Sequence, residues 1–181
     1  YRISGFYPGT NPHHLTWDGC KIDYGEHSNL AFYDNMHHIK IINSELSWAG
    51  NGIYLISTTT ESPHDFLIKG NYIHDLGIIG ANVNTDAHAV GTQGVSNMIV
   101  EDNLVERTGN AILLYAFTVQ ESKNNTIRNN IVKDCHRVAD SSSYGIATQC
   151  NNDAYGDKSG TKIYNNIVAN CTHGYRFQWE Q

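Results

Sequence analysis

Ile127-Arg128-Asn129-Asn130-Ile131-Val132 is one of five near-copies of a single pattern: apolar, any residue, polar or glycine, asparagine, then two apolar residues. The others are Ile41-Ile42-Asn43-Ser44-Glu45-Leu46, Ile68-Lys69-Gly70-Asn71-Tyr72-Ile73, Val100-Glu101-Asp102-Asn103-Leu104-Val105 and Ile163-Tyr164-Asn165-Asn166-Ile167-Val168. A degenerate earlier copy surrounds Cys20, between Trp17 and Ile22. Registered on Cys20, Ser44, Asn71, Asn103, Asn130 and Asn166, the copies lie 24, 27, 32, 27 and 36 residues apart. A constant core with variable spacing is one repeating unit carrying loops of different length. The apolar runs are short and β-branched and end in Asn or Gly, so they read as strands, and a helical solenoid is excluded.

A second motif follows each first one. It reads Asn51-Gly52-Ile53-Tyr54-Leu55, His88-Ala89-Val90-Gly91-Thr92 and Asn110-Ala111-Ile112-Leu113-Leu114. Further copies are Tyr144-Gly145-Ile146-Ala147-Thr148 and His173-Gly174-Tyr175-Arg176-Phe177, with an earlier one at Ser28-Asn29-Leu30-Ala31-Phe32. Each unit thus holds two strands meeting at an Asn turn, a loop, and a third strand opening near a small residue. Stacking such units about 4.8 Å apart in parallel register places equivalent residues above one another. Ile41, Ile68, Val100, Ile127 and Ile163 then form one interior column. Leu46, Ile73, Val105, Val132 and Val168 form a second, and Leu30, Ile53, Val90, Ile112 and Ile146 a third. One column could arise by chance; three in common register predict an all-β, right-handed parallel β-helix of about six coils.

The stacked Asn71, Asn103, Asn130 and Asn166 resemble the asparagine ladder of the pectate-lyase-like β-helix superfamily. Asn accepts the left-handed conformation that a tight bend needs, and its amide can bond the Asn of neighbouring coils. The resemblance extends from Thr16 to Trp179. It implies a secreted, extracellular or periplasmic protein acting on polysaccharide, as a lyase or a glycoside hydrolase. Fold-level likeness alone does not fix an activity.

Composition agrees with this architecture and narrows the partners. The chain has 16 Gly but only 3 Pro, and 17% of its residues are charged, as expected of many tight turns. A formal net charge of −6 argues against general nucleic-acid binding, which needs excess Lys and Arg. No run of 18 apolar residues is present, so no membrane helix is expected. Residues 1–181 read as one β-helix domain. Its first and last residues, Tyr-Arg-Ile-Ser-Gly-Phe and Arg-Phe-Gln-Trp-Glu-Gln, resemble strand interiors, so a piece of a longer solenoid without its natural caps is expected, with further coils as neighbours. Cys135 and Cys171 each stand five positions after a ladder Asn and should stack, in a column with Ala49, Leu76 and Thr108, as buried free thiols or, given favourable side-chain directions, as a disulfide, since the coil spacing falls within the allowed Cα range. No Cys-x-x-Cys is present, so no structural zinc is expected; no cofactor is implied, and Ca²⁺ stays open as a ligand that no motif indicates. Two glycosylation sequons, Asn124-Asn125-Thr126 and Asn170-Cys171-Thr172, fall inside Asn-rich repeat turns and carry no assignment.

The interior of such a helix is apolar and too narrow for substrate, so chemistry must lie on an outer face. Lys69, Glu101, Arg128 and Tyr164 on one face read as a solvated ladder without function. The third-strand face differs. One outward column reads Tyr33, Ile56, Gln93, Tyr115, Gln149 and Gln178, and its neighbour Ala31, Tyr54, Gly91, Leu113, Ala147 and Arg176. Asn51, His88, Asn110, Tyr144 and His173 stand at the strand entrances. Rings that stack on sugar faces, amides that bond hydroxyls and small residues that leave room together suit a glycan. Tyr54, Gln93, Tyr144, Gln149, Arg176 and Gln178 are therefore the expected substrate-binding residues. Long insertions at Leu76 to Asp86 and Cys135 to Ser143 should wall this groove, with a further polar loop at Asn151 to Gly160.

His88 is the leading candidate catalytic group. Asp86 and His88 share a face of an extended stretch, so the carboxylate could orient the imidazole. A lyase needs a base beside a uronate carboxylate, for which His88 or Tyr115 would serve, and a cation to neutralise that carboxylate. Arg176, about three coils away, is too distant to serve the same sugar. A hydrolase instead needs two carboxyl groups about 5–9.5 Å apart, for which Asp86 and Asp140 are the candidates. A non-catalytic glycan-binding or adhesin-like structural solenoid is the alternative reading.

Overall fold

The computed structural model describes residues 13–57, 62–77, 87–116, 122–136, 143–150 and 159–179. Its elements come in threes. The first coil holds β1 (Thr16–Asp18), β2 (Lys21–Asp23) and β3 (Ser28–Tyr33), and the second β4 (His37–Ile42), β5 (Glu45–Ala49) and β6 (Asn51–Ile56). The third holds β7 (His64–Lys69), β8 (Tyr72–Leu76) and β9 (His88–Gln93), and the fourth β10 (Ile99–Glu101), β11 (Leu104–Thr108) and β12 (Asn110–Ala116). The fifth holds β13 (Thr126–Arg128), β14 (Ile131–Cys135) and β15 (Tyr144–Cys150), and the sixth β16 (Lys162–Tyr164), β17 (Ile167–Cys171) and β18 (His173–Trp179). First strands pair only with first strands, second with second and third with third, giving three six-stranded sheets. All pairings are parallel, as a coiled stack requires.

Registers match the columns read from sequence. Ile41 pairs with Ile68, Ile68 with Val100, Val100 with Ile127 and Ile127 with Ile163. Val105 sits between Ile73 and Val132, and Val90 between Ile53 and Ile112. These side chains form one continuous core. Burying each aliphatic side chain contributes about 1.5–3 kcal/mol, the main force holding coil on coil. Cys135 pairs with Cys171 in register; both are free thiols, Cys135 buried and Cys171 partly exposed, and the Cys171 thiol together with burial pushes the Cys135 thiol pKa up.

The ladder is satisfied at every step. Asn71 donates its backbone N–H and its amide to Asn103 Oδ1 at 2.9 and 3.0 Å. Asn103 does the same to Asn130, and Asn130 to Asn166. Each amide also donates to a carbonyl of the coil before it, as Asn103 does to Ile68 at 3.0 Å. The ladder asparagines are not, however, the left-handed residues. Positive φ falls one residue earlier, at Gly19, Asn43, Gly70, Asp102, Asn129 and Asn165. The ladder position is set by amide hydrogen bonding, and the preceding position by backbone conformation.

Two further left-handed columns went unread in the sequence. One precedes the third-strand bend at Tyr24, Trp48, Asp75, Arg107, Asp134 and Asn170. The other opens the first sheet at His14, His38, Asp65, Asn97, Asn124 and Gly160. Asn, Asp and His tolerate this region better than most side chains, but Trp48 and Arg107 do not. In the second sheet, side chains beside the bend tie coils together. Arg107 grips Asp75 with two hydrogen bonds of 2.7 and 2.9 Å, and the buried Glu106 takes Tyr72 Oη at 2.5 Å and Lys133 Nζ at 2.7 Å. These cations hold both carboxyl groups down to about 2.

Candidate functional site on the third sheet

The outward columns of the third sheet are in the expected register. Tyr54 pairs with Gly91, Gly91 with Leu113 and Leu113 with Ala147, while Gln93, Tyr115 and Gln149 stack in the adjacent column. They enclose a cavity of about 250 Å³ lined by Tyr54, His88, Thr92, Gln93, Leu113, Tyr115 and Gln149. Four consecutive coils therefore contribute to one volume. Five of the candidate residues meet there: His88, Tyr115, Gln93, Tyr54 and Gln149.

Several contacts fix the geometry. Gln93 Nε2 donates to Tyr54 Oη at 2.7 Å, which orients both groups on the cavity rim. The Tyr54 and His88 rings lie nearly parallel, 11° apart, with centroids at 6.3 Å. The Tyr115 backbone N–H donates to Thr92 Oγ1 at 3.3 Å, seating β12 against β9. Gly91 makes room for the histidine. A Cβ there would fall 2.9 Å from both Cβ and Cγ of His88, closer than packed carbon atoms approach.

The entrance column shows why His88 is not another ladder residue. Asn51 Oδ1 accepts the backbone N–H of His88 at 2.8 Å, and Asn110 Oδ1 accepts that of Tyr144 at 3.1 Å. The two asparagines stitch coils through their side chains. His88 is stitched through its backbone, which leaves its imidazole, 3% exposed, to line the cavity.

The remaining candidates are placed differently. Tyr144 is buried with Leu113, Ala147 and Tyr115 beside the cavity, and the Arg176 guanidinium lies over its ring at 4.6 Å. Arg176 is thus occupied three coils from His88 and lines no part of the cavity. Gln178 pairs in register with Gln149. Asp86 and Asp140 lie outside the described residues, as does most of each inserted loop. Among the described lining residues, His88 and Tyr115 carry the groups that could exchange a proton, and there is no carboxylate or cation. Thr92, on an interior column, went unread as a lining residue.

The Lys69 face behaves as a charge ladder. Glu101 accepts from Lys69 at 2.8 Å and from Arg128 Nε at 2.6 Å, and Arg128 Nη1 donates to Tyr164 Oη at 3.0 Å. The same sheet is not uniform, because its strand entrances in the first three coils carry His13-His14, His37-His38 and His64-Asp65. Their spacings of 24 and 27 residues equal the first two intervals of the repeat, a signal that registering the histidines would have exposed.

Fold and site together define a parallel β-helix solenoid with a polar, aromatic-lined groove on one lateral sheet. The chain belongs to the family described as the right handed beta helix region, whose family model matches residues 8–178. No curated protein and no solved structure matches the chain.

Proposed function

We propose that this protein acts on an extracellular polysaccharide, as a lyase or glycoside hydrolase, with the glycan lying in the third-sheet groove. The carrying observation is the convergence of His88, Tyr115, Gln93, Tyr54 and Gln149 on one cavity. Aromatic rings offer stacking surfaces for sugars, and the two Gln amides offer donors and acceptors for hydroxyls. His88 supplies an imidazole that can accept or donate a proton at the cavity wall.

The described lining supplies acid–base groups for an elimination, but not the cation that would neutralise a uronate carboxylate. In a lyase step His88 takes the proton from the carbon beside the uronate carboxylate. That electron pair forms a carbon–carbon double bond as the bond to the leaving oxygen breaks, and Tyr115 Oη protonates that oxygen. Hydrolysis would instead call on Asp86 and Asp140 as the carboxyl pair. Glycan binding without turnover is the second reading, favoured by the absence of carboxylate and cation among the described lining residues.

A panel of acidic and neutral polysaccharides separates the three. Ultraviolet absorbance from a new unsaturated end marks a lyase. New reducing ends without that absorbance mark a hydrolase and move attention to the two aspartates. Saturable binding without either product marks a binding solenoid. A folded sample that neither binds nor cleaves any member contradicts the proposal.

A further inference from the structure

The first sheet carries a second constellation, in the column that opens each coil. The left-handed bend leaves two consecutive side chains at the surface before the chain turns inward at the buried Ile39 and Phe66. In the first three coils these pairs are His13-His14, His37-His38 and His64-Asp65; the next two carry Ser96-Asn97 and Lys123-Asn124. His13, His37 and His64 stack with ring centroids 5.0 and 4.9 Å apart, each step tilted by 6°. His14 and His38 stack beside them at 4.5 Å. Within the two His-His pairs the Nδ1 atoms approach to 2.6 Å.

Backbone conformation does not account for this choice of residue. It constrains only the second member of each pair, where Asp65, Asn97, Asn124 and Gly160 meet the same demand. The first member has no such constraint, yet it is histidine in three successive coils. Nor is the cluster a closed packing unit. His14, His38 and Asp65 face a separate cavity of about 500 Å³, lined also by Lys40, Asn97 and apolar residues of the sheet.

We propose that this cluster binds a divalent transition-metal ion of the zinc, nickel or copper class, with His14, His37 and His38 as ligands and Asp65 at the fourth side. One ligand nitrogen from each of the three histidines lies within 4.8 Å of the others. A tetrahedral zinc ion with bonds of about 2.1 Å sets its nitrogens roughly 3.4 Å apart, within reach of small rotations of exposed rings. Imidazole donors select zinc, copper and nickel over calcium or magnesium, which demand oxygen ligands. Asp65 Oδ2 stands 3.8 Å from His38 Nε2 and holds His64 Nδ1 at 2.8 Å. A carboxylate so placed can complete the coordination or fix the tautomer of a ligating imidazole. The site draws on three coils, so a bound ion would clamp them together. It lies on a different sheet from the glycan groove and does not depend on that reading.

Titration calorimetry of the metal-free chain with Zn²⁺ tests the site, using His14→Asn/His38→Asn and, as a control, the exposed His136→Asn. Asparagine tolerates the left-handed backbone at both positions, which protects the fold. The proposal expects one Zn²⁺ per chain, a raised thermal midpoint, and affinity weakened at least about tenfold in the double variant. His136→Asn should match the wild type, and the metal-free midpoint of the double variant should stay near it. Absence of binding overturns the proposal. So does binding that the double variant retains, or that His136→Asn removes.

Discussion

The turn between the first and second sheets and the entrance to the third sheet occupy the same coils but obey different rules. At the turn, Asn71, Asn103, Asn130 and Asn166 repeat, and each amide bonds the next. At the entrance the column runs Ser28, Asn51, His88, Asn110, Tyr144 and His173, and the residue type changes from coil to coil. Asn51 and Asn110 still serve the stack with their side chains, whereas His88 joins it through its backbone. Columns that repeat hold the solenoid together. Where the repeat breaks without breaking the register, the side chain no longer serves as the stitch between coils.

The sharpest way to press this contrast is His88→Asn, which puts the ladder residue at the entrance. Turnover of a glycan substrate should fall by about 10²- to 10⁴-fold, while unfolding free energy shifts by no more than about 1 kcal/mol. Assay and urea titration of the same sample check both halves. Asn103→Ala makes the opposite cut. It strands the Asn71 backbone N–H and one amide N–H, the other still donating to the Ile41 carbonyl, so urea unfolding should show a loss of about 3 kcal/mol, with the groove chemistry intact in the folded fraction. Gly91→Ala reaches the groove indirectly. The new methyl crowds His88, and an assay should show turnover reduced by about tenfold or somewhat more with a smaller stability cost.

The smallest effect comes from the second sheet, which stabilises without taking part in the groove. Glu106 ionises near about 2 in the folded chain, because Lys133 and Tyr72 bond its carboxylate. An unfolded Glu ionises near about 4.3, so the stabilisation is complete above that pH and disappears as pH falls towards about 2. Glu106→Gln should cost on the order of 1 kcal/mol at neutral pH, less than an unscreened ion pair would, because its cationic partners are partly exposed. Thermal melts should show that deficit shrinking in acid until variant and wild type converge near about pH 2.

What the sequence disclosed follows the same division. Ile41, Ile68 and Val100 could be aligned from sequence because interior packing demands the same kind of residue in every coil. Once the register was known, Gln93, Tyr115 and Gln149 followed as one outward column. The left-handed residue sits one position before the ladder Asn, a distinction the sequence hides because hydrogen bonding and backbone conformation both select Asn at neighbouring sites. Trp48 and Arg107 gave no local sign of their left-handed bend, since it is imposed by the coils on either side. The histidine pairs stand at the strand entrances, outside the Asn-turn motif that carries the repeat. The burial of Tyr144 beneath Arg176 arises from packing between β15 and β18, which alternation along one strand does not disclose.

The most direct test is a nuclear magnetic resonance titration of the isotope-labelled chain with acidic and neutral oligosaccharides, following side-chain amides. The account predicts saturable shifts at Gln93 and Gln149 with the ladder amides of Asn103 and Asn130 unmoved. Saturable binding that moves amides elsewhere and leaves both glutamines in place, or no binding by any oligosaccharide, would contradict it.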